Sequence, residues 1–331
     1  MKRLFAIILI LVLTLSGCAV KKEEEGTKWA EGVYLRIGDT QVDYREGLVY
    51  LDATRRDYEQ YYGSDIWSYV VNAEGGTLGD VVKQQVLDEM IYVKIVCAQA
   101  EKLNVSLTVD ELSIVDAQTE EYMTKIKGAD ILSQGVNKDI VRKVYQDNAL
   151  ARKVFEYATL NIDTNISNEE AGQHHLYSFA VRNHKIGSAG ERVEYTELEQ
   201  ADLKERVRGM HEEASKTDDF LKYAAGVTEN SAMLDIYVGK GSLDKSIEDK
   251  VLVLQDGEIS EVLETKDYYY VFYCESSFDI DKTLEKKEEI IATRQEEAFE
   301  TFYAKWRTET DIELNVDVWN TMNYTSTNVE K

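Results

Sequence analysis

The sequence predicts an α+β protein in which a helical domain is interrupted by a small antiparallel sheet domain. Three observations predict this class. Apolar residues recur at helical spacing through the first half of the chain, aromatic and β-branched runs cluster in the middle, and helical spacing returns near the C-terminus. Helix therefore brackets the predicted sheet on both sides.

The first half of the chain carries the strongest helical patterns. An amphipathic helix is predicted from Leu78 to Leu103, because its apolar residues step by three or four positions and form one stripe. Residues 43–62, 108–127 and 137–158 have the same spacing. We therefore expect the whole first half to be helical.

The middle of the chain predicts strands and short helices. The predicted strands are residues 175–181, 259–263 and 268–273, and the predicted helices are residues 197–216 and 220–225. Asp256-Gly257 is typical of a turn before the later strands. From Lys282 to Trp306 the apolar spacing is helical again.

Composition excludes several classes of protein. With 331 residues, 44% of them apolar, the chain is long enough for two domains with cores of their own. The 38 basic and 62 acidic residues give a net charge of −24, which repels phosphate backbones and excludes nucleic acid as an expected partner. The chain contains no proline, whereas the usual frequency of about 5% would give roughly sixteen, and this absence excludes polyproline linkers.

The N-terminus indicates export. Lys2 and Arg3 precede an apolar run of about twelve residues, which suits a signal peptide and is too short for a comfortable membrane span. Residues 15–18, Leu-Ser-Gly-Cys, resemble a bacterial lipobox. That resemblance implies removal of residues 1–17, a lipid on Cys18, a tether over residues 18–30 and a place on the extracytoplasmic face of the membrane. An ordinary secretory signal with a chance cysteine is the alternative.

No metal or cofactor is predicted. Cys97 and Cys274 have no spacing signature and are typical of buried small apolar side chains, although an oxidising exterior would permit a disulfide. The histidines also lack ligand spacing on any predicted helix; they are His174, His175, His184 and His211.

Three parts of the chain, in order, carry a resemblance to a known family. Residues 100–112 are similar to the junction between a long helix and the next helix of a chaperone domain. Residues 166–170, leading into 175–177, look like the entry to a parvulin domain, and residues 220–224 and 257–274 resemble its second half. The order and content resemble the PrsA-like and SurA-like extracytoplasmic foldases, which belong to the parvulin-type peptidyl-prolyl isomerase family.

This resemblance implies a domain organisation and partners. Residues 31–165 would be the N-terminal helices of the chaperone domain, residues 166–278 an inserted parvulin-like (FKBP-like) domain, and residues 279–331 a C-terminal helix that packs on the chaperone domain. The implied partners are unfolded or translocating secreted proteins. Whether the chain forms a homodimer is left open.

The resemblance also implies site residues, most of which depart from the family pattern. His175 matches the first of two facing histidines, Asn230 stands where the family has Asp or Cys, and Tyr270 stands where it has the second histidine. Leu243 and Ile247 take the Met and Phe positions of the proline pocket. Twisting an Xaa-Pro bond needs a dry pocket and a polar network, so we expect weak or lost isomerase activity.

The sequence therefore predicts a membrane-anchored folding factor with a degenerate parvulin-like domain. One alternative is an active prolyl isomerase on the same scaffold. A second is a solute-binding or surface-interaction lipoprotein, which would have two α/β lobes of similar size. The aromatic residues Tyr58, Tyr61, Tyr62 and Trp67 are open to two interpretations, packing between the first helices or a platform for clients.

Overall fold

The structure is a computed structural model that describes residues 21–22 and 28–322. The predicted signal peptide and the predicted lipid attachment at Cys18 lie outside the described residues, as does most of the tether. The chain divides into two compact units, one formed by residues up to Ile162 and from Gln295 onward, the other by Asp163–Arg294. Both units contain helices and strands, so the predicted α+β class is confirmed.

The elements are numbered along the chain. The helices are α1 (Tyr44–Tyr62), α2 (Leu78–Cys97), α3 (Val109–Lys125), α4 (Asp130–Ser133), α5 (Lys138–Ala158), α6 (Asn168–Ala171), α7 (Glu197–Ala214), α8 (Phe220–Val227), α9 (Glu248–Val251), α10 (Ile280–Thr308) and α11 (Val316–Thr321). The strands are β1 (Lys21–Lys22), β2 (Val33–Ile37), β3 (Thr40–Asp43), β4 (His174–Arg182), β5 (Lys185–Ile186), β6 (Arg192–Val193), β7 (Asp235–Val238), β8 (Leu263–Glu264), β9 (Tyr268–Ser276) and β10 (Ile312–Leu314).

Side-chain caps set the starts of the long helices in the first unit. Thr77 and Thr108 each form a reciprocal capping box with the residue three positions later, at the starts of α2 and α3. Asn137 accepts from the Ile140 backbone N–H at the start of α5. These helices begin within one residue of the predicted positions.

Helix α2 is shorter than predicted. Its regular part ends at Cys97, and residues 98–104 form a series of turns instead of continuing to Leu103. The turns close at Asn104, whose φ of 54° is left-handed, while the Val105 N–H donates to the Ala100 carbonyl at 2.8 Å. This arrangement is a Schellman-type ending, which satisfies a carbonyl that a longer helix would have bonded.

The expectation of an entirely helical first half is wrong. Strands β2 and β3 form an antiparallel hairpin, with Leu35 opposite Val42, and β10 pairs with β2 on its other side, with Leu314 opposite Leu35. The sheet order is β1-β10-β2-β3. Because the middle partner comes from near the C-terminus, the hairpin is stabilised by a pairing that local spacing does not reveal.

The second unit is built on an antiparallel sheet of order β7-β4-β9-β8. Strand β4 lies at its centre and pairs with β9 along almost its full length. The predicted strand at 259–263 is wrong as a continuous element. Ile259 makes a single bridge to Tyr273, and the strand proper is β8. Between them the Ser260 hydroxyl accepts from the Phe272 N–H at 2.9 Å, which interrupts the ladder.

Candidate functional site

The two faces of the central strand carry different clusters. Leu176, Ala180, Tyr270 and Phe272 lie in one apolar cluster, which we call the Tyr270 face. Phe179 and the other odd-numbered residues of β4 point to the opposite side, which we call the His175 face, since successive side chains of a strand alternate. Each predicted site residue can therefore be assigned to a face.

Asn230 and Tyr270 meet on the Tyr270 face. The Asn230 amide donates to the Tyr270 hydroxyl at 3.1 Å. Thr228 positions Asn230, because the Thr228 hydroxyl accepts from the Asn230 N–H at 3.2 Å and from the Ala180 N–H at 3.1 Å. Tyr270 is buried, and desolvation raises its pKa above 10.0. The pair is therefore neutral at physiological pH.

Leu243 and Ile247 belong to the same cluster. Ile247 is almost fully buried in it and Leu243 packs against it half-buried. The Glu248 carboxylate fixes the loop before α9 by accepting from the Gly241 N–H at 2.8 Å and the Leu243 N–H at 3.1 Å. These backbone hydrogen bonds lower the pKa of Glu248. The structure thus brings four of the five predicted positions together.

His175 is the exception, because it lies on the opposite face. Its Nε2 is 2.8 Å from Asp235 Oδ1, and its ring stacks on Tyr237 at 4.4 Å between centroids. Tyr177, two residues along β4, meets the same ring edge-on at 5.0 Å. His175 is therefore separated from Asn230 and Tyr270 by the sheet itself.

His174 is the histidine that shares a face with Tyr270, and the sequence reasoning missed it. It pairs directly with Val238, a member of the Tyr270 cluster, and precedes the buried Leu176 by two residues. Its Nδ1 is buried without a hydrogen-bond partner among the described residues. Desolvation lowers its pKa below 6.5. The sequence does offer one signal for it. His174 lies two residues before Leu176 in a strand, so the two side chains point to the same face.

The chemistry of the Tyr270 face is limited by these groups. Asn230 and Tyr270 are neutral and His174 prefers its neutral form, so the face offers hydrogen bonds and apolar contacts without a charge. Within residues 21–22 and 28–322 there is no group of three or more His, Cys, Asp or Glu side chains arranged to hold a metal ion. Cys97 and Cys274 are both free thiols, and burial raises the pKa of Cys274 to about 11.

Comparisons with known proteins gave matches among solved structures. The chain is similar to PrsA-like and SurA-like foldases. A peptidylprolyl isomerase (PrsA) from Bacillus cereus matches with 17% identity over 80% of this chain and 95% of that chain, at a TM-score of 0.33. The foldase PrsA from Streptococcus pneumoniae matches with 15% identity over 72% and 92%, at 0.31. One of two SurA-like chaperones, PEB4 and Cj1289, of Campylobacter jejuni matches with 12% identity over 86% and 98%, at 0.29.

The other comparisons were negative. No protein-family model matches the chain, and no curated protein matches it. Because identities this low with TM-scores below 0.5 do not transfer an activity, the function has to be inferred from this chain's own residues. None of the helices described has the length and apolar content needed to cross a membrane.

Proposed function

We propose that this protein is an extracytoplasmic folding factor. It is anchored to the membrane through lipidated Cys18, binds unfolded secreted proteins, and carries a parvulin-like module whose isomerase activity is weak or lost. The observation that carries the proposal is an exposed aromatic surface on the helical unit. The features of the Tyr270 face support the part that concerns the isomerase.

The exposed surface spans the end of α1 and the segment after it. Tyr61, Tyr62 and Tyr69 are each 66–70% exposed, and Val70 and Val71 extend the same surface. We call these five residues the 61–71 patch. Five exposed apolar side chains within eleven residues of sequence favour a site for protein partners.

The four aromatic residues singled out from the sequence divide between two roles. Trp67 is buried in the core of the helical unit, and Tyr58 packs against that core with its ring 5.4 Å from Trp67. Tyr61 and Tyr62 remain in solvent. Half of the predicted cluster therefore fixes the end of α1, and the other half is available to a client.

The charge around the 61–71 patch favours basic clients. No Lys or Arg occurs between Arg56 and Lys83, while Asp57, Glu59, Asp65, Glu74 and Asp80 all lie in that segment. A segment of this charge favours apolar client segments flanked by Lys or Arg, and disfavours acidic chains such as a second copy of this protein.

The polar pair supports the weak-isomerase part of the proposal. Asn230 and Tyr270 supply one hydrogen bond to each other and no ionisable group near neutral pH. A catalyst must bind the twisted amide more tightly than the planar one. A proline ring could still contact Ile247 and Leu243, so binding is better supported than catalysis.

An aggregation assay tests client binding. The mature chain with Cys18→Ser should suppress aggregation of an unfolded basic secreted protein at equimolar ratio. The triple variant Tyr61→Ser, Tyr62→Ser, Tyr69→Ser should lose most of this effect. A control variant with Val109→Ser and Leu160→Ser, two exposed apolar residues of the same unit outside the patch, should keep it. Absence of suppression by the wild-type chain at several-fold excess would refute the proposal.

A protease-coupled peptide assay tests the isomerase. We expect little or no acceleration of cis-trans exchange, and no difference between wild type and His175→Ala. Strong acceleration by the wild-type chain would establish the alternative, an active isomerase. Loss in His175→Ala alone would contradict the assignment of that residue to the opposite face.

Lipid anchoring is tested independently of client binding and of isomerase activity. Expressed from its own signal peptide, the protein should partition with membranes and incorporate a labelled fatty acid, and Cys18→Ser should abolish both results. The solute-binding alternative is not favoured, because one unit is built mainly on helices and the other on a single central sheet.

A further inference from the structure

Strand β7 is an outer strand with a free edge. It pairs with β4 on one side, and in the part of the chain that the structure describes no strand pairs with it on the other. The Leu234 carbonyl accepts from the Ser178 N–H of β4 at 3.0 Å. Since the C=O and N–H of a trans peptide point in opposite directions, the Asp235 N–H points away from β4.

The alternation along the strand extends this orientation. If Asp235 presents its N–H and C=O to the free edge, then Tyr237 does so too, whereas Ile236 and Val238 face β4. Asp235 and Tyr237 are also the exposed residues of β7, whereas Val238 is buried. Two residues therefore offer unpaired backbone donors and acceptors to an extended chain.

The same two residues carry side chains suited to cations. Tyr237 is 42% exposed, and the side chain of Asp235 is 52% exposed. Both lie on the His175 face, where His175 holds the Tyr237 ring by stacking and approaches the Asp235 carboxylate. Lys282 Nζ already lies 5.5 Å from the Tyr237 ring centroid, so this ring attracts an ammonium group within the protein itself.

The third ring on this face is that of Tyr177, which meets His175 edge-on. Burial first, and then the charges of Glu275 and Asp235, raise the pKa of Tyr177. The His175 face near β7 thus combines aromatic rings with the Asp235 carboxylate. This combination recognises guanidinium and ammonium groups better than it recognises neutral or acidic side chains.

We propose that the outer edge of β7 binds an extended peptide segment that carries Lys or Arg at alternate positions. The segment adds a strand to the sheet through the backbone of Asp235 and Tyr237, and its alternate side chains lie beside the Tyr237 ring and the Asp235 carboxylate. As the source of such segments we take the unfolded clients of the proposed function. Its side-chain contacts lie on the face of the sheet opposite Asn230 and Tyr270, so binding does not require a proline in the peptide.

Binding is tested with labelled peptides and the full mature chain carrying Cys18→Ser. A twelve-residue peptide of alternating Lys and Thr should bind in fluorescence anisotropy, and its Glu/Thr counterpart should not. Methyl groups on the backbone nitrogens of alternate residues block the N–H groups that would donate to β7. Of the two alternately N-methylated Lys/Thr peptides, the one whose methyl groups face the β7 edge should lose binding. Hydrogen exchange should slow at the Asp235 and Tyr237 amides when the Lys/Thr peptide is added.

Variants locate the contact. Tyr237→Thr should raise the Kd at least about fivefold, and Asp235→Asn about threefold with a weaker salt dependence. Lys282→Ala should lower the Kd, because it removes the internal competitor. Glu212→Gln, an exposed carboxylate on α7, is the control for Asp235→Asn, and Tyr157→Thr, at an exposed tyrosine of α5, is the control for Tyr237→Thr. Tyr69→Thr reports whether the peptide binds at the 61–71 patch instead.

The outcomes separate this site from the proposed function. Equal binding of the N-methylated peptide, or loss of binding in Tyr69→Thr instead of Tyr237→Thr, overturns the inference while leaving client binding intact. The inference is also overturned if the wild-type chain suppresses aggregation and yet binds none of the peptides. Peptide binding at β7 without aggregation suppression keeps the inference and refutes the proposed function.

Discussion

A buried carboxyl in the helical unit makes its stability depend on pH in an unusual direction. Glu89 on α2 is 6% exposed, and its Oε1 has no hydrogen-bond partner among the described residues. Desolvation raises its pKa from 4.5 to about 7. The replacement Glu89→Gln removes the titration and keeps the shape of the side chain, so it isolates this effect.

The sign follows from where the proton is bound. Between pH 4.5 and 7 the unfolded chain has released the Glu89 proton and the folded chain retains it. The unfolded state then binds fewer protons, so the free energy of unfolding falls as the pH rises and levels off above pH 7. The whole pKa difference of Glu89 between the folded and the unfolded chain corresponds to about 3 kcal/mol in the free energy of unfolding. In Glu89→Gln this contribution is absent.

The four tryptophans provide a probe for this unit alone. Trp29, Trp67, Trp306 and Trp319 all belong to the unit that contains Glu89. Urea unfolding followed by tryptophan fluorescence should find Glu89→Gln gaining about 2–3 kcal/mol relative to wild type between pH 5 and pH 8. Glu101→Gln, an exposed residue of the same unit, should track the wild type. If the free energies of unfolding of wild type and Glu89→Gln change in parallel with pH, the reasoning is refuted.

Three further predictions concern stability and folding. Lys94→Met leaves the buried Glu46 with only the half-exposed Lys143, at 2.9 Å, and should cost about 3 kcal/mol in the tryptophan-detected transition, unlike Lys125→Met at an exposed pair. Ile247→Ala opens space in the Tyr270 cluster and should cost about 2–5 kcal/mol by near-UV circular dichroism of the tyrosines, with Val253→Ala at an exposed site as control. Because the chain contains no proline, refolding should lack a phase of tens of seconds that an added prolyl isomerase accelerates.

The helices were predictable because their signals are local. A cap such as Thr108 and an apolar stripe such as that of α2 lie within one segment, and the structure places both helix starts as expected. The hairpin of β2 and β3 was not predictable in the same way. Its central pairing brings Leu35 opposite Leu314, and no window of local sequence contains both residues.

The site was predictable only in part for a related reason. Asn230, Ile247 and Tyr270 come from three different segments, and their meeting depends on the register that sets Ala180 opposite Tyr270. That register is fixed by tertiary packing. The structure brings these residues together on the Tyr270 face, and their roles in a site stay a prediction from the resemblance.

The choice between His174 and His175 is a harder case, because β4 is buried on both faces. Leu176 and Ala180 pack on one side of the strand, and Phe179 and Val181 on the other. A strand of this kind has no alternation of apolar and polar residues that would mark the site-bearing side. A displacement of one residue then moves a side chain through the sheet. The neighbouring histidines consequently belong to two different surfaces, His174 to the face that carries Tyr270 and His175 to the carboxylate and ring of β7. Assigning a role to either one requires the pairing of β4 with both of its neighbours.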